Sequence, residues 1–147
     1  MKRIWILTAL VLAVSGCASA ECGAKINELR DSWIKNWNEK KLDKVIELYA
    51  PDATMLPSDG QRIVGRESIR AFLKRYMDSG NIEESVQSIA TDCAGKIGFD
   101  SGTFVETIQG AGGKQRAGNY LVALREVSGK WSIVQHASIE SHPAAGQ

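Results

Sequence analysis

The apolar periodicity of the chain changes once, at Gly80, and any fold must accommodate that change. Before it, apolar residues recur at helical spacing. Ile26, Leu29, Trp33 and Trp37 form one stripe with Ile34 alongside, Leu42, Val45, Ile46 and Tyr49 a second, and Ile69, Phe72, Leu73, Tyr76 and Met77 a third. These i, i+3, i+4, i+7 patterns predict three amphipathic helices. Pro51 follows the second, and Asp78-Ser79-Gly80-Asn81 stops the third. Between the second and third, Ala53 to Leu56 and Gln61 to Val64 read as short strands joined by a Pro57-Ser58-Asp59-Gly60 turn. After Gly80 the period is two. Strands are predicted over Ile82 to Thr91, Phe99 to Ile108, Gly118 to Val127 and Lys130 to Ile139, with a Gly110 to Lys114 hairpin loop and a tight Ser128-Gly129 turn. Helices followed by an antiparallel meander give an α+β fold, its helices on one face of a curved sheet.

The N-terminus follows neither pattern. Lys2 and Arg3 precede an apolar stretch from Ile4 to Val14 that is too short to span a bilayer, so residues 1–20 read as a signal peptide. Two cleavage sites compete. Val14-Ser15-Gly16-Cys17 resembles a bacterial lipoprotein box, with lipidation at Cys17; Ala18-Ser19-Ala20 is an A-x-A site. Ala18 after the Cys resembles the outer-membrane sorting pattern of Gram-negative lipoproteins. The expected product is periplasmic and lipid-anchored, a domain over residues 24–140 with a flexible tail over 141–147. Cleavage at either site removes two of the 18 basic residues and none of the 17 acidic ones, turning a formal charge of +1 into −1. That balance excludes electrostatic binding of nucleic acid. In an oxidising compartment Cys22 and Cys93 can pair, tying the start of the first helix to the sheet, or remain one buried and one exposed thiol.

Several short signatures fall in one order: Trp37-Asn38 with Leu42-Asp43, Leu48-Tyr49-Ala50-Pro51-Asp52-Ala53-Thr54, Gly65-Arg66-Glu67-Ser68-Ile69, Gly118-Asn119-Tyr120 and Gly129-Lys130-Trp131-Ser132-Ile133-Val134. From about Ile26 to Ile139 this order resembles the SnoaL-like branch of the nuclear transport factor 2 (NTF2-like) superfamily, close to its DUF4440 group. The resemblance implies a cone-shaped, cystatin-like roll whose curved sheet wraps three helices, often around a ligand pocket. It also implies a homodimer formed through the outer sheet faces. The superfamily holds isomerases, dehydratases, cyclases and non-catalytic adaptors, so chemistry has to be read from the site.

A ketosteroid isomerase of that superfamily uses an Asp base, with a Tyr and a second Asp, kept protonated by its apolar surroundings, in its oxyanion hole. Laid on this chain without gaps from the first helix to the turn after Ala53-Thr54, the Tyr position carries Trp33 and the base position Pro57. Trp donates but cannot transfer a proton, and Pro does neither. The oxyanion Asp falls near Gly118 to Leu121, where no acid stands. The remaining catalytic candidates are weak. Asp59 reads as a turn Asp and Asp52 as a cap on the turn after the second helix. His136 titrates near neutrality when unperturbed. It shares a strand face with Val134 and Ser138, opposite Ile133 and Ala137, with Gln135 on the other face. The aromatic set Trp33, Trp37, Tyr49, Phe72 and Tyr76 is expected on helix faces turned into the cone, with Met55, Asn119 and His136 joining from the sheet as ligand-binding candidates.

Gly112-Gly113-Lys114-Gln115 is not a phosphate loop, no Gly-x-Ser-x-Gly occurs, and His136, His142 and the cysteines lack metal-ligand spacing. Neither cofactor nor metal is expected. Three functions stay open: binding of one small apolar or amphipathic molecule, cofactor-free acid–base catalysis of isomerase, dehydratase or cyclase type, and a dimeric interaction domain with a collapsed cone. Mass spectrometry of the chain from its own host is expected to show a lipidated Cys17 as the N-terminus. A bare Glu21 terminus identifies A-x-A cleavage and removes the anchor.

Overall fold

A computed structural model of the chain describes residues 15–109 and 114–141. Residues 1–14, the 110–113 loop and residues 142–147, including His142 and most of the expected tail, lie outside the described residues.

The order of elements is α1 (Ser15–Asn38), α2 (Leu42–Ile46), β1 (Tyr49–Leu56), β2 (Ile63–Val64), α3 (Arg66–Asp78), β3 (Asn81–Ala94), β4 (Ile97–Gln109), β5 (Lys114–Val127) and β6 (Lys130–Glu140). Cys17 and the Ala18–Ala20 site fall within the first turns of α1. The switch of period at Gly80 is the border between α3 and the sheet. The strands form one sheet in the order β2-β1-β6-β5-β4-β3. It is antiparallel except for β1 against β6, a parallel pair that returns the chain from the helical half to the end of the meander. Alternation along β4 buries Gly98, Asp100, Gly102, Phe104 and Glu106 and turns the residues between them outward.

The second helical stripe ends early. The helix closes at Ile46, and Tyr49 opens β1. The physical cause is Pro51, which lacks an N–H and disfavours helix for the residue before it. Pro51 is tolerated in the strand because β1 bulges: Tyr49 pairs with Ile133 but Thr54 with Gln135, so β1 carries extra residues there. The bulge frees the Tyr49 carbonyl, which accepts from Arg66 Nε at 2.8 Å and Nη2 at 2.5 Å. Gly65, at φ 89°, makes the turn that delivers Arg66 to this place. The Gly65-Arg66 signature thus locks α3 to the strand break. Asp52 does not cap a helix; it lies on β1, exposed, and pairs with Arg125 at 2.8 Å and 3.0 Å.

The sheet curls onto α1, and missing side chains permit it. A Cβ on Gly98 would meet the Ile26 side chain at 2.5 Å, and one on Gly102 would lie 2.0 Å from the Gln87 carbonyl oxygen. Beside Gly102 the β3–β4 register shifts between Ser88 and Ala90, steepening the curl. A second shift matters for the site. Leu124 pairs with Ile133 but Ala123 pairs with Gln135, so Val134 is an extra residue in β6. Simple alternation puts Ile133 opposite His136; the bulge corrects this and turns both into the cone. Cys22 of α1 and Cys93 of β3 form a disulfide. The Ser128-Gly129 turn has positive φ at both residues, 53° and 81°, the primed geometry that suits twisted hairpins.

The core is Ile26, Trp33, Trp37, Val45, Ile46, Tyr49, Ile69 and Leu73 against Leu124 and Ile133. At Gly102 the obstacle is backbone and cannot swing aside. Gly102→Ala is expected to lower the urea midpoint by an amount worth about 2–3 kcal/mol, the upper range for overpacking.

Candidate functional site

The helices do not fill the cone. A cavity of about 340 Å³ remains between α1, α3, the turn after β1 and the inner sheet face. Trp33 and Trp37, one turn apart on α1, stack with centroids 5.4 Å apart and planes at 9°. Phe72 and Tyr76 of α3 stack likewise at 6.2 Å, and Tyr76 leans on Trp37 at 5.9 Å. Met55, Phe104, Val122 and Leu124 supply apolar wall from the sheet. The volume and the largely apolar lining are those of a small-molecule site.

Of the residues expected here, Trp33, Trp37, Met55, Phe72, Tyr76 and His136 line the cavity. Tyr49 does not: it is 0% exposed, on β1 behind His136 rather than on a helix face. Asn119 faces away from it. Strand alternation turns Gly118 and Tyr120 inward and leaves Asn119 exposed on the outer sheet face. Asp59 and Pro57 sit at the rim. The Asp59 carboxylate is engaged within its own turn, accepting from the Gln61 backbone N–H at 3.0 Å and from its side-chain amide at 2.8 Å.

Three polar groups punctuate the apolar wall. At one end Asp100, 2% exposed, accepts from Ser88 Oγ at 2.5 Å, Thr91 Oγ1 at 2.6 Å and Tyr120 Oη at 2.8 Å, with Arg30 Nη1 at 3.5 Å. At the other end Glu106 accepts from Tyr76 Oη and from Arg116 Nη2, both at 2.7 Å. The Arg116 guanidinium also lies over the Tyr76 ring, 5.2 Å from its centroid. Glu84 and Glu140 join that end. Between the two ends His136 Nδ1 lies 2.7 Å from Tyr49 Oη, which is 3.1 Å from Trp33 Nε1.

Enclosure shifts these groups. Burial pushes the His136 imidazole down to about 4, so it is neutral at neutral pH. Burial, and then the charge of Glu106, pushes Glu84 up to about 8. Burial, and then Glu140, pushes Glu106 up to about 7. Desolvation also raises the Tyr49 hydroxyl far above its usual range, so it stays protonated. Among the described residues no three His, Cys, Asp or Glu side chains converge as a metal site.

The sequence patterns do not single out Glu84, Asp100, Glu106, Arg116 or Tyr120 as site residues. One signal is nevertheless present. Glu106 shares a strand face with Phe104 and Ile108, and an acid on the apolar side of an alternating strand is a buried charge in need of partners. The partners, Tyr76 and Arg116, come from other elements and cannot be read locally.

The shifted groups give stability opposite pH trends. Between pH 6.5 and about 4 the unfolded chain binds a proton at His136 that the native state refuses, so this contribution shrinks as the pH falls through that window. Between pH 4.5 and about 8 the native state keeps a proton on Glu84 that the unfolded chain has released, so this contribution shrinks as the pH rises. The Glu84→Gln variant is therefore expected to lose less stability than the wild type between about pH 6 and about pH 8.5, measured as urea midpoints. An equal loss in both would place the Glu84 carboxyl in water.

The fold recurs in solved structures. An NTF2-like protein from Pseudomonas putida KT2440 superposes with a TM-score of 0.78 at 14% identity, covering 86% of this chain and 92% of that one. A ketosteroid isomerase-like protein from Erwinia carotovora atroseptica SCRI1043 gives 0.70 at 16% identity, covering 82% and 96%. A protein with a cystatin-like fold from Nostoc punctiforme PCC 73102 gives 0.70 at 12% identity, covering 80% and 90%. These likenesses concern the fold alone. A search of curated proteins finds no match. Residues 26–141 match the SnoaL-like domain, and the chain belongs to the SnoaL-like family, with a fold that it shares with NTF2-like proteins.

Proposed function

We propose that the cone binds one small, largely apolar or amphipathic molecule. The observation that carries this reading is the open cavity of about 340 Å³ between two stacked aromatic pairs, with a few polar groups on an otherwise apolar wall. An interaction domain with a collapsed cone would have no such space. The Asp100 end is satisfied within the protein, whereas at the other end Glu106 bonds through one oxygen and Arg116 Nε is buried without a partner among the described residues.

Acid–base catalysis is the second reading. It is favoured by Glu84 and Glu106, which titrate close to neutrality on the wall of the same cavity. The neighbour described as ketosteroid isomerase-like shares the fold. This chain would need a different base from that of a ketosteroid isomerase, since Trp33 donates its N–H to Tyr49 and Pro57 has no proton to move.

We further place the chain near the DUF4440 group and in the periplasm, anchored through a lipid on Cys17. The lipoprotein box and the Cys22–Cys93 disulfide, which suits an oxidising compartment, support this placement. A second copy is the proposed partner on the outer sheet face. There Phe99, Val105, Leu121 and Ile139 are exposed, the last at 68%.

Native mass spectrometry of the chain purified from its own host tests the binding reading. One small molecule retained per chain is expected. It should be absent from a folded Val122→Trp variant, in which the indole occupies the cavity. A protein that carries nothing, and whose Tm is indifferent to apolar compounds, would count decisively against a binding role.

A further inference from the structure

The ligand can be narrowed further, given the binding reading above. The polar groups around the cavity divide by what they have left to offer. Asp100 is bonded to Ser88, Thr91 and Tyr120, and Glu106 is bonded through Oε2 to Tyr76 and Arg116. Trp37 Nε1 is a buried donor without a partner among the described residues. His136 keeps one ring nitrogen unpartnered, and its neighbours dictate where its proton sits. An indole N–H only donates, so Trp33 Nε1 donates to Tyr49 Oη across 3.1 Å. The Tyr49 proton then has His136 Nδ1, at 2.7 Å, as its acceptor. In the reverse tautomer the Tyr49 oxygen would receive two donors while its own proton, on a residue 0% exposed, went unmatched. A buried donor left unmatched loses its hydration without replacement, which decides the direction. Nδ1 therefore accepts, and a neutral imidazole then carries its single proton on Nε2.

Nε2 lies on the far side of the ring from Tyr49 and has no hydrogen-bond partner among the described residues, while His136 lines the cavity. The ring cannot easily turn away. Trp33 meets it edge-on at 5.7 Å, and the Tyr49 ring lies nearly parallel to it at 6.1 Å. Ser138, two residues on, brings a hydroxyl to the same wall. Glu106 and Glu140 line the cavity too and disfavour an added negative charge, while Glu84, pushed up to about 8 by burial, is mostly uncharged at neutral pH; the cations on the wall, Arg30 and Arg116, are already paired with Asp100 and Glu106.

We propose that His136 Nε2–H is a fixed hydrogen-bond donor to the ligand, and that the cavity takes an apolar molecule bearing an uncharged oxygen acceptor, a ketone or similar carbonyl. His136 is the contact residue. Tyr49 and Trp33 are positioning residues that act through it.

Two measurements on the full chain test this. The first titrates it with 2-acetylnaphthalene and 2-ethylnaphthalene, two probes of similar size that differ in the carbonyl oxygen. The ketone is expected to bind about tenfold more tightly, the equivalent of one hydrogen bond. The preference should vanish in His136→Phe while affinity for the hydrocarbon persists. Equal binding of both probes by the wild type overturns the carbonyl proposal and leaves the cavity reading standing. Binding of neither overturns both. The second measurement needs no variant: a multiple-bond proton–nitrogen NMR spectrum of the wild type at neutral pH. A proton on Nε2 alone is expected. A proton on Nδ1, or on both nitrogens, overturns the assignment even if His136→Phe fails to fold.

Discussion

Everything about this molecule depends on how tightly the sheet can close on α1. Four long strands curl against α1, and a hollow remains between the helices and the inner sheet face. The curl needs the backbone of one strand to pass where side chains would normally stand. At Gly102 the gap to the Gln87 carbonyl admits no Cβ, and at Gly98 the space is taken by Ile26. The register shifts beside Ser88 and at Val134 add the local twist that completes the bend. Had those positions carried side chains, the sheet would be flatter and α1 would lie on an open surface.

A hollow core sets the electrostatics. Inside it, charge is costly and hydrogen bonds are strong, so each polar group must find a partner or remain neutral. Asp100 found three hydroxyls. Glu106 found Tyr76 and Arg116. His136 gave up its charge and joined a chain of donors that starts at Trp33. The same low polarity that would make these groups costly if unpaired holds them in fixed orientations. Fixed groups of this kind give the cavity wall a defined hydrogen-bonding pattern.

Much of the fold is legible in the residues, and the reason is periodicity. Apolar stripes at Ile69, Phe72, Leu73 and Tyr76 report a helix wherever that helix packs, and the alternation around Phe104 reports a strand with one buried face. The site is legible only in part. Trp33, Trp37, Phe72 and Tyr76 follow from the stripes because helix faces are local. Tyr49 fits the second stripe and yet belongs to a strand, since Pro51 overrides the pattern two residues later. Asn119 and its neighbour Gly118 are equally polar or small, and strand phase alone turns one outward and the other inward. His136 sits in the cone beside Ile133 because of an extra residue at Val134, which alternation cannot anticipate.

The sequence by itself determined the α+β order, the three helices, the helical aromatics Trp33, Trp37, Phe72 and Tyr76 of the cavity wall and the residues that mark the SnoaL-like family. Those properties depend on spacings of a few residues and on side-chain chemistry that travels with the chain. Tertiary structure alone decided that the core is hollow. It also decided that Tyr76 and Arg116 meet Glu106, and that Trp33, Tyr49 and His136 fall into a line. Each of those contacts joins residues 10 to 87 positions apart. Contact at that range is created by strand pairing, bulges and the curl of a sheet, and no local pattern encodes the sum of them.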